Sequence, residues 1–444
     1  MKATLAITIC ALSSFILPTN ATAIDPDLAR FVGSKQTQMR DLAGTNNIPA
    51  IVASYFDAVR VDDWETATNL EYRLQTGSGL YSMSNKESIV PALQTPIWAP
   101  ISETIGAYAQ FHDWDNKLLH KYGSEIISSI PKGSVYFGGT DCGRFIISAL
   151  SDSHREGRPF FTITQNQLAD RNYLEYLRSM YGRSLYIPTT NDSAKAFQEY
   201  MDDAQERLKT GRLKPGEDVR TVAGRVQISG QIAVMEINGR IARVILEKNP
   251  DRAFYIEESF PLDWMYPYLS PHGLIMELHH KPLSGLDHSD VEKDRAYWKR
   301  LTADLIGDWI TDKTSVKEIC DFAERTYLRT NLTNFKGDTG FARNSDAQKA
   351  FSKLRSSIGG LYAWRAAQAT EESEKRQMNE SADAAFREDF ALCPSLPEAL
   401  YRYVQLLTTL NRPDDAILLT ETALRIDPDS TYAKDLLRAL RKNN

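Results

Sequence analysis

The sequence predicts an α/β protein in which a Rossmann-like, mainly parallel sheet is flanked by a helical N-terminal region and by C-terminal tetratricopeptide-like helical repeats. Three observations support this fold class. Short β-branched and aromatic runs alternate with helical segments between residues 131 and 282, which is typical of βαβ units. The residues on both sides of that region have the apolar periodicity of helices. Near the C terminus, Pro394 and Pro428 are 34 residues apart, which is the period of tetratricopeptide repeats.

Length and composition indicate a soluble protein with more than one packed unit. The chain has 444 residues, and a single core seldom serves more than about 250–300 residues. Hydrophobic residues make up 42% of the chain and charged residues 25%, which argues against long disordered segments. The net charge of -6 gives no basic surface for nucleic acid. No disulfide pairing follows from the spacing of Cys142, Cys320 and Cys393.

Residues 1–23 are predicted to be a secretory signal peptide. The apolar run from Leu5 to Leu17 follows Lys2, and small residues precede the cleavage point expected after Ala23. The alternative is a membrane anchor that is retained because cleavage fails. No later stretch approaches the roughly 20 apolar residues that span a bilayer. We therefore expect an exported protein, periplasmic or secreted, with no membrane span after signal cleavage.

Residues 24–130 are predicted to form a helical region. Its clearest piece is 51–74, where Ile51, Tyr55 and Phe56 belong to one apolar helix face. A turn is expected at Asp62, after which a second helix begins. This piece therefore predicts a helical hairpin.

Residues 131–282 are predicted to form the α/β domain. Its five strands are expected at "SVYF" (134–137), "FFTIT" (160–164), "SLYI" (184–187), "AFYIEE" (253–258) and "GLIMEL" (273–278). Its helices are expected at 145–152, in "YLEYLRSMYG" up to Gly182, at 194–208 and at 232–247. The segment 209–225 has no periodicity, and it is predicted to be a loop that is either mobile near a ligand or a plain surface excursion.

Residues 283–375 are predicted to be a helical region, and residues 376–444 to be tetratricopeptide-like repeats. The first repeat has Ala382, Phe386 and Pro394 at the positions where the second has Ala416, Thr420 and Pro428. Two repeats and a capping helix are too few for an independent array. We therefore expect them to pack on the helices of residues 290–375.

Several stretches of this sequence resemble one known family. They are "IPKGSVYFGGTDCGRF", "FYIEESFPLDWMYPYLSPHGLIMEL", "KAFSKLRSSIGGLYAWRA" and "AFREDFALCPSLPEALYRYVQLL". They resemble the soluble C-terminal part of bacterial membrane proteins whose N-terminal part is similar to protein O-mannosyltransferase-type glycosyltransferases. The resemblance covers roughly residues 50–440, and it implies a soluble module that often ends in tetratricopeptide repeats. Because transferase chemistry in that family belongs to the membrane part, we expect an accessory module here, without transferase activity.

The candidate ligand site begins at the turn that follows the first predicted strand. Gly138 and Gly139 permit a tight turn and a close approach of the backbone to a ligand. Thr140 and Asp141 are placed to cap the next helix, whose free N–H groups suit an anion. Arg144 is placed to pair with a phosphate or carboxylate. The alternative is a purely structural turn in which Asp141 caps the helix and pairs with Arg144.

Two other predicted strands end at the same edge of a parallel sheet. Gln165 and Asn166 follow the second strand, and Glu257 lies at the end of the fourth. Ligands of open α/β sheets bind beyond the carboxyl ends of the strands. These polar side chains therefore predict a site for a sugar or nucleotide-sugar, and no cofactor is expected.

Two further groups of residues are weaker candidates. His272, Glu277, His279 and His280 invite a metal site, but neighbouring strand residues face opposite sides, so a solvated loop without metal is expected. Trp264, Tyr266 and Tyr268 suit either a carbohydrate platform or ordinary packing.

The sequence supports two functional hypotheses. The first is an exported, non-catalytic scaffold that binds a protein partner through its helical repeats and has a possible polar ligand site in the α/β domain. The second is an enzyme acting on a glycan or nucleotide-sugar, with Asp141 or Glu257 as general base and Arg144 binding an anionic group.

Overall fold

A computed structural model describes residues 24–78, 90–214, 216–222, 225–257 and 263–443. The predicted signal peptide lies outside these residues. Within them, no helix combines the length and the apolar character that a bilayer crossing requires. The molecule is mostly helical, with a small mixed sheet of five strands.

The described residues of the N-terminal region include five α-helices. They are α1 (Pro26–Ala43), α2 (Ala50–Arg60), α3 (Trp64–Ser78), α4 (Trp98–Asp113) and α5 (Asn116–Ser129). The predicted hairpin of residues 51–74 is confirmed, because α2 packs on α3 and Asp62 turns the chain between them with a φ of 55°. Residues of α1, α2 and α4, including Phe31, Phe56 and Ile101, form a separate apolar core.

The central sheet has the order β2-β1-β5-β7-β6. Its strands are β1 (Val135–Gly138), β2 (Phe161–Thr164), β5 (Phe254–Ile256), β6 (Leu269–His272) and β7 (Ile275–Leu278). β1 pairs in parallel with β2 and β5, whereas β7 is antiparallel to both β5 and β6. The predicted mainly parallel sheet is therefore wrong in its second half, and a Rossmann-like topology is not established.

Two of the predicted strands behave differently from the prediction. The predicted strand "SLYI" does not form, because the backbone N–H and C=O of Tyr186 bond to the side-chain amide of Asn249 at 2.8 and 3.1 Å. "GLIMEL" supplies β7, but Gly273, with a φ of 63°, reverses the chain so that β7 pairs with the unpredicted β6. A positive φ at glycine carries little strain, and the result is a hairpin.

The helices between the strands were mostly predicted. They are α6 (Ile147–Leu150), α7 (Ser153–Glu156), α8 (Arg171–Tyr181), α9 (Thr190–Thr210) and α10 (Gln231–Lys248). The predicted helix 145–152 is replaced by a π-helical turn at Cys142–Ile146 followed by the short α6.

The segment 209–225 is only partly a loop. β3 (Asp218–Val222) pairs in antiparallel fashion with β4 (Arg225–Ser229). Glu217 anchors the hairpin to α9, since its carboxylate accepts hydrogen bonds from Tyr200 at 2.8 Å and from Arg207 at 3.0 Å. The prediction of a loop over 209–225 is therefore wrong for residues 209–210, 218–222 and 225, which belong to α9, β3 and β4.

The C-terminal half is helical and shares its core with the sheet. Its helices are α11 (His288–Ile306), α12 (Val316–Ala323), α13 (Ser345–Gln368), α14 (Glu372–Leu392), α15 (Pro397–Thr409), α16 (Pro413–Ile426) and α17 (Thr431–Asn443). Consecutive helices from α13 to α17 pack on each other, which fits helical repeats. The expected packing on earlier helices is confirmed, because α16 contacts α12 and α15 contacts α13. One apolar core runs from Tyr136 in β1 to Ala433 in α17.

Candidate functional site

The turn after β1 approaches its neighbours very closely. A Cβ atom on Gly138 would lie 2.9 Å from the carbonyl oxygen of Gly143. A Cβ atom on Gly143 would lie 2.1 Å from the carboxyl carbon of Glu257. A side chain at Gly138 would therefore clash with the backbone of Gly143, and a side chain at Gly143 would displace the Glu257 carboxylate.

Glu257 fills the place that the sequence analysis assigned to an anionic ligand. Its carboxylate accepts hydrogen bonds from the backbone N–H groups of Gly139 at 3.0 Å and Thr140 at 2.9 Å. The hydroxyl groups of Thr140 and Tyr122 donate to the same carboxylate. Glu257 is 1% exposed. The anion that the turn holds in this structure is therefore a side chain of the protein itself.

Asp141 and Arg144 form a pair at the rim of this turn. Arg144 donates to the Asp141 carboxylate at 2.5 Å, and the Asp141 side chain is 67% exposed. The backbone N–H of Gly143 bonds to the Thr140 hydroxyl at 3.0 Å, so Thr140 is the capping residue. The Asp141–Arg144 pair is the one expected for a purely structural turn. The capping residue is Thr140, however, and not Asp141.

The ends of β1, β2 and β5 meet as the sequence predicts. The side-chain amide of Asn166 donates to the carbonyl oxygen of Gly139 at 2.7 Å. The backbone carbonyl oxygen of Asn166 accepts a hydrogen bond from the side-chain amide of Asn238 at 3.0 Å. Gln165 is 4% exposed, and its Oε1 has no hydrogen-bond partner among the described residues. Gly139, Thr140, Asn166 and Glu257 are thus brought together.

Cys142 lies beside this cluster, with its Sγ 3.1 Å from the Thr140 hydroxyl oxygen. Burial, together with the nearby Glu257 carboxylate, raises the pKa of the thiol to about 12. Since the thiolate is the nucleophilic form of cysteine, Cys142 is a packed, protonated thiol at neutral pH.

Each of the histidines and aromatic residues near the β6–β7 hairpin contacts a different partner. His272 bonds to the carbonyl oxygen of Ser129, His280 to that of Arg252, and His279 to the Ser270 hydroxyl. Tyr266 stacks on Trp364 of α13 with ring centres 5.5 Å apart, and Trp264 contacts the edge of Tyr268. The Tyr266–Trp364 contact packs the segment before β6 on α13, and the Trp264–Tyr268 contact lies within that segment.

A buried polar cluster that the sequence analysis missed joins α1, α4 and α8. Lys35 Nζ lies 2.7 Å from Glu103 Oε2 and donates to Tyr176 at 2.9 Å. His154 Nδ1 lies 2.9 Å from the same carboxylate oxygen. All four side chains are at most 4% exposed. No local motif predicts this cluster, because its members are single residues on four separate segments.

The charges in this cluster are set by burial and by the short contacts. Burial alone raises the pKa of Glu103, but the ion pairs and hydrogen bonds with His154 and Lys35 lower it to about 2. Burial lowers the pKa of His154 and of Lys35 more than Glu103 raises them. Glu103 is therefore ionised, and it holds α1 and α4 against the α/β part through a charged network.

A groove of about 310 Å³ lies between α13, α14 and α15. Its α13 wall consists of small residues, Gly360, Ala363 and Ala367, and its α15 wall includes Arg402 and Gln405. The guanidinium group of Arg402 lies next to Gly360 of α13 and donates to the carbonyl oxygen of Ser356 at 3.0 Å.

Two exposed tyrosines continue this surface beyond the groove. Gln405 bonds to the hydroxyl group of Tyr401. Tyr401 contacts the edge of Tyr432 on α17, and the two residues are 43% and 36% exposed. Large exposed aromatic side chains next to a groove are typical of interaction surfaces.

Comparisons with known proteins identify no relative of this chain. No protein-family model matches it, and neither the curated proteins nor the solved structures contain a significant match.

Proposed function

We propose that this chain is an exported protein-binding scaffold whose helices α13–α17 are tetratricopeptide-like repeats. The groove between α13, α14 and α15, extended by Tyr401 and Tyr432, is the observation that carries this proposal. Solenoids of helical pairs bind protein segments on such concave surfaces. The resemblance to the soluble module of a glycosyltransferase-related family supports the same assignment.

The groove suits an extended peptide segment. The small side chains of Ala363 and Ala367 leave room for a backbone close to α13, and Arg402 and Gln405 offer polar groups from α15. The two exposed tyrosines supply apolar area with little loss of side-chain entropy.

The predicted sugar or nucleotide-sugar site at the β1 turn is a weaker part of this proposal. A ligand there has to displace Glu257 from three hydrogen bonds that its carboxylate accepts from Gly139 and Thr140. No observation at the turn favours the enzymatic alternative, because Asp141 is paired with Arg144 and Glu257 is sealed from solvent.

Selection from a random peptide library against residues 24–444 tests the proposal. We expect enriched peptides whose binding is lost in Ala367→Trp, because the new side chain fills the groove from an exposed position. Gln368→Trp is the matched control, since Gln368 is equally exposed on α13 but does not line the groove. Enriched peptides that bind Ala367→Trp as tightly as the wild type would contradict the proposal.

A further inference from the structure

A second pocket lies where α11 meets the repeat helices. It has a volume of about 350 Å³ and is bounded by α11, the segment after it, α13 and α14. This volume falls at the lower end of the range for small-molecule sites, about 300–1,000 Å³. Four basic side chains line it: Arg295, Lys299, Arg355 and Arg387.

Two of these arginines are fully engaged within the fold. Arg355 is 1% exposed and donates to Asp294 at 2.8 Å and to Glu388 at 2.6 Å. Arg387 donates to three carbonyl oxygens of the segment 311–314 at 3.0–3.1 Å and pairs with Asp383. These residues build the floor of the pocket and hold its loop in place.

The other two basic residues have no ion-pair partner among the residues that the structure describes. Arg295 and Lys299 are one helical turn apart on α11, and neither lies within 4.0 Å of a carboxylate in the described part of the chain. The Nε of Arg295 is buried and has no hydrogen-bond partner among those residues. By contrast, Lys293 and Arg300 on the same helix pair with Asp290 and Glu125. A buried donor without a partner is unfavourable. Lys293 and Arg300 have carboxylate partners, whereas Arg295 has no acceptor for its Nε among the described residues.

We propose that this pocket binds a phosphate-type dianion through Arg295 and Lys299. Two uncompensated positive charges match the charge of a phosphate monoester at neutral pH, about -1.5 to -2. The planar guanidinium group binds phosphate oxygens in pairs, and lysine adds a mobile point charge. Three acidic residues also line the pocket. Glu388 is paired with Arg355, and Glu292 and Asp312 are exposed at the rim, where solvent screens them.

The site is independent of the peptide groove and goes beyond the scaffold function. Its ligand would lie where α11 meets α13 and α14, and it would bind through residues of α11. Binding to the folded state alone would also stabilise the protein by linkage.

Calorimetric titration of residues 24–444 with inorganic phosphate and with glucose 6-phosphate, at constant ionic strength, tests the proposal. We expect saturable binding that Arg295→Gln weakens at least about tenfold, because hydrogen bonds to charged groups are among the stronger ones. Lys299→Gln, at an exposed position, should weaken it in the same direction without affecting folding. Tighter binding of glucose 6-phosphate than of phosphate would indicate a monoester ligand, and equal binding the free ion.

Two variants serve as controls. Lys293→Gln removes a positive charge from the same helix outside the pocket, and Ala367→Trp fills only the peptide groove, so both should leave phosphate binding unchanged. Absence of saturable binding to the wild type would overturn the proposal. So would an equal loss in Lys293→Gln and Arg295→Gln, because the effect would then be one of net charge.

Discussion

The carboxylate of Glu257 accepts hydrogen bonds from both the backbone N–H and the hydroxyl group of Thr140, which is 117 residues earlier in the chain. This contact closes the edge where β1 and β5 end, and Gly143 leaves the space for it. The turn therefore has the donors of an anion site, and its anion is part of the fold.

Replacement of Glu257 by alanine should destabilise the protein strongly. The donors of Gly139, Thr140 and Tyr122 would lose a buried acceptor, and each unsatisfied buried group costs about 1–3 kcal/mol. We expect a loss of at least about 2 kcal/mol in the free energy of unfolding, measured with urea. Added formate should restore part of that loss in Glu257→Ala and leave the wild type unchanged.

Asp141→Ala is the control for this experiment. The exposed Asp141–Arg144 pair should contribute no more than about 1 kcal/mol. If Glu257→Ala were as stable as Asp141→Ala, the carboxylate would have no structural role at the turn.

The sequence predicted the meeting of these residues but not what they do there. Strand positions follow from local apolar patterns, and parallel strands place their carboxyl ends at one edge, so Asn166 and Glu257 were expected near Thr140. Whether Glu257 lines a ligand site at the turn or fills that site itself depends on the distance between its carboxylate and the turn. Local sequence patterns do not predict this distance. The strand "SLYI" failed for a similar reason, because Asn249, more than 60 residues away, takes its backbone hydrogen bonds.

The two charges of Lys35 and Glu103 in the buried cluster should contribute to stability non-additively. Lys35→Met leaves Glu103 ionised and without its lysine, at a cost of about 3–5 kcal/mol. Lys35→Met combined with Glu103→Leu should lose less than the sum of the two single changes, as measured in a double-mutant cycle by urea unfolding. Additive effects would show that the two side chains do not interact.

An exposed lysine pair provides the comparison for this cycle. Lys117 pairs with Asp338, and the Lys117 side chain is 77% exposed. Lys117→Met should change the free energy of unfolding far less than Lys35→Met does, because solvent screens the exposed pair. The difference between the two lysine variants then measures the effect of burial on an ion pair.

Asp389 should make stability fall as pH rises toward neutrality. Burial raises the pKa of this carboxyl group to about 7, although a hydrogen bond from Ser352 lowers it. Between the ordinary value of 3.8 and about 7, the folded state holds a proton that the unfolded state has released. The free energy of unfolding therefore decreases over this window, by at most about 1.4 kcal/mol per pH unit from this group.

Asp389→Asn isolates this contribution. The amide does not titrate, so urea unfolding of the variant should depend less on pH between 4 and 7 than that of the wild type. The free energy of unfolding of the variant minus that of the wild type should therefore be larger above pH 7 than at pH 5. Parallel pH profiles would show that Asp389 is ionised in the folded protein.

The last repeats should not fold alone. α15 packs on α13, α16 packs on α12, and the carbonyl oxygen of Leu418 lies 4.0 Å from the Cys320 Sγ. A fragment of residues 378–444 loses these partners and exposes Leu400, Leu407 and Leu419, which are at most 3% exposed in the whole chain. We expect no cooperative thermal transition from this fragment by circular dichroism, whereas residues 283–444, which retain α12 and α13, should show more helix per residue. A sharp melt of the shorter fragment would mean that α15–α17 and the part of α14 within the fragment form a folding unit without α12 and α13.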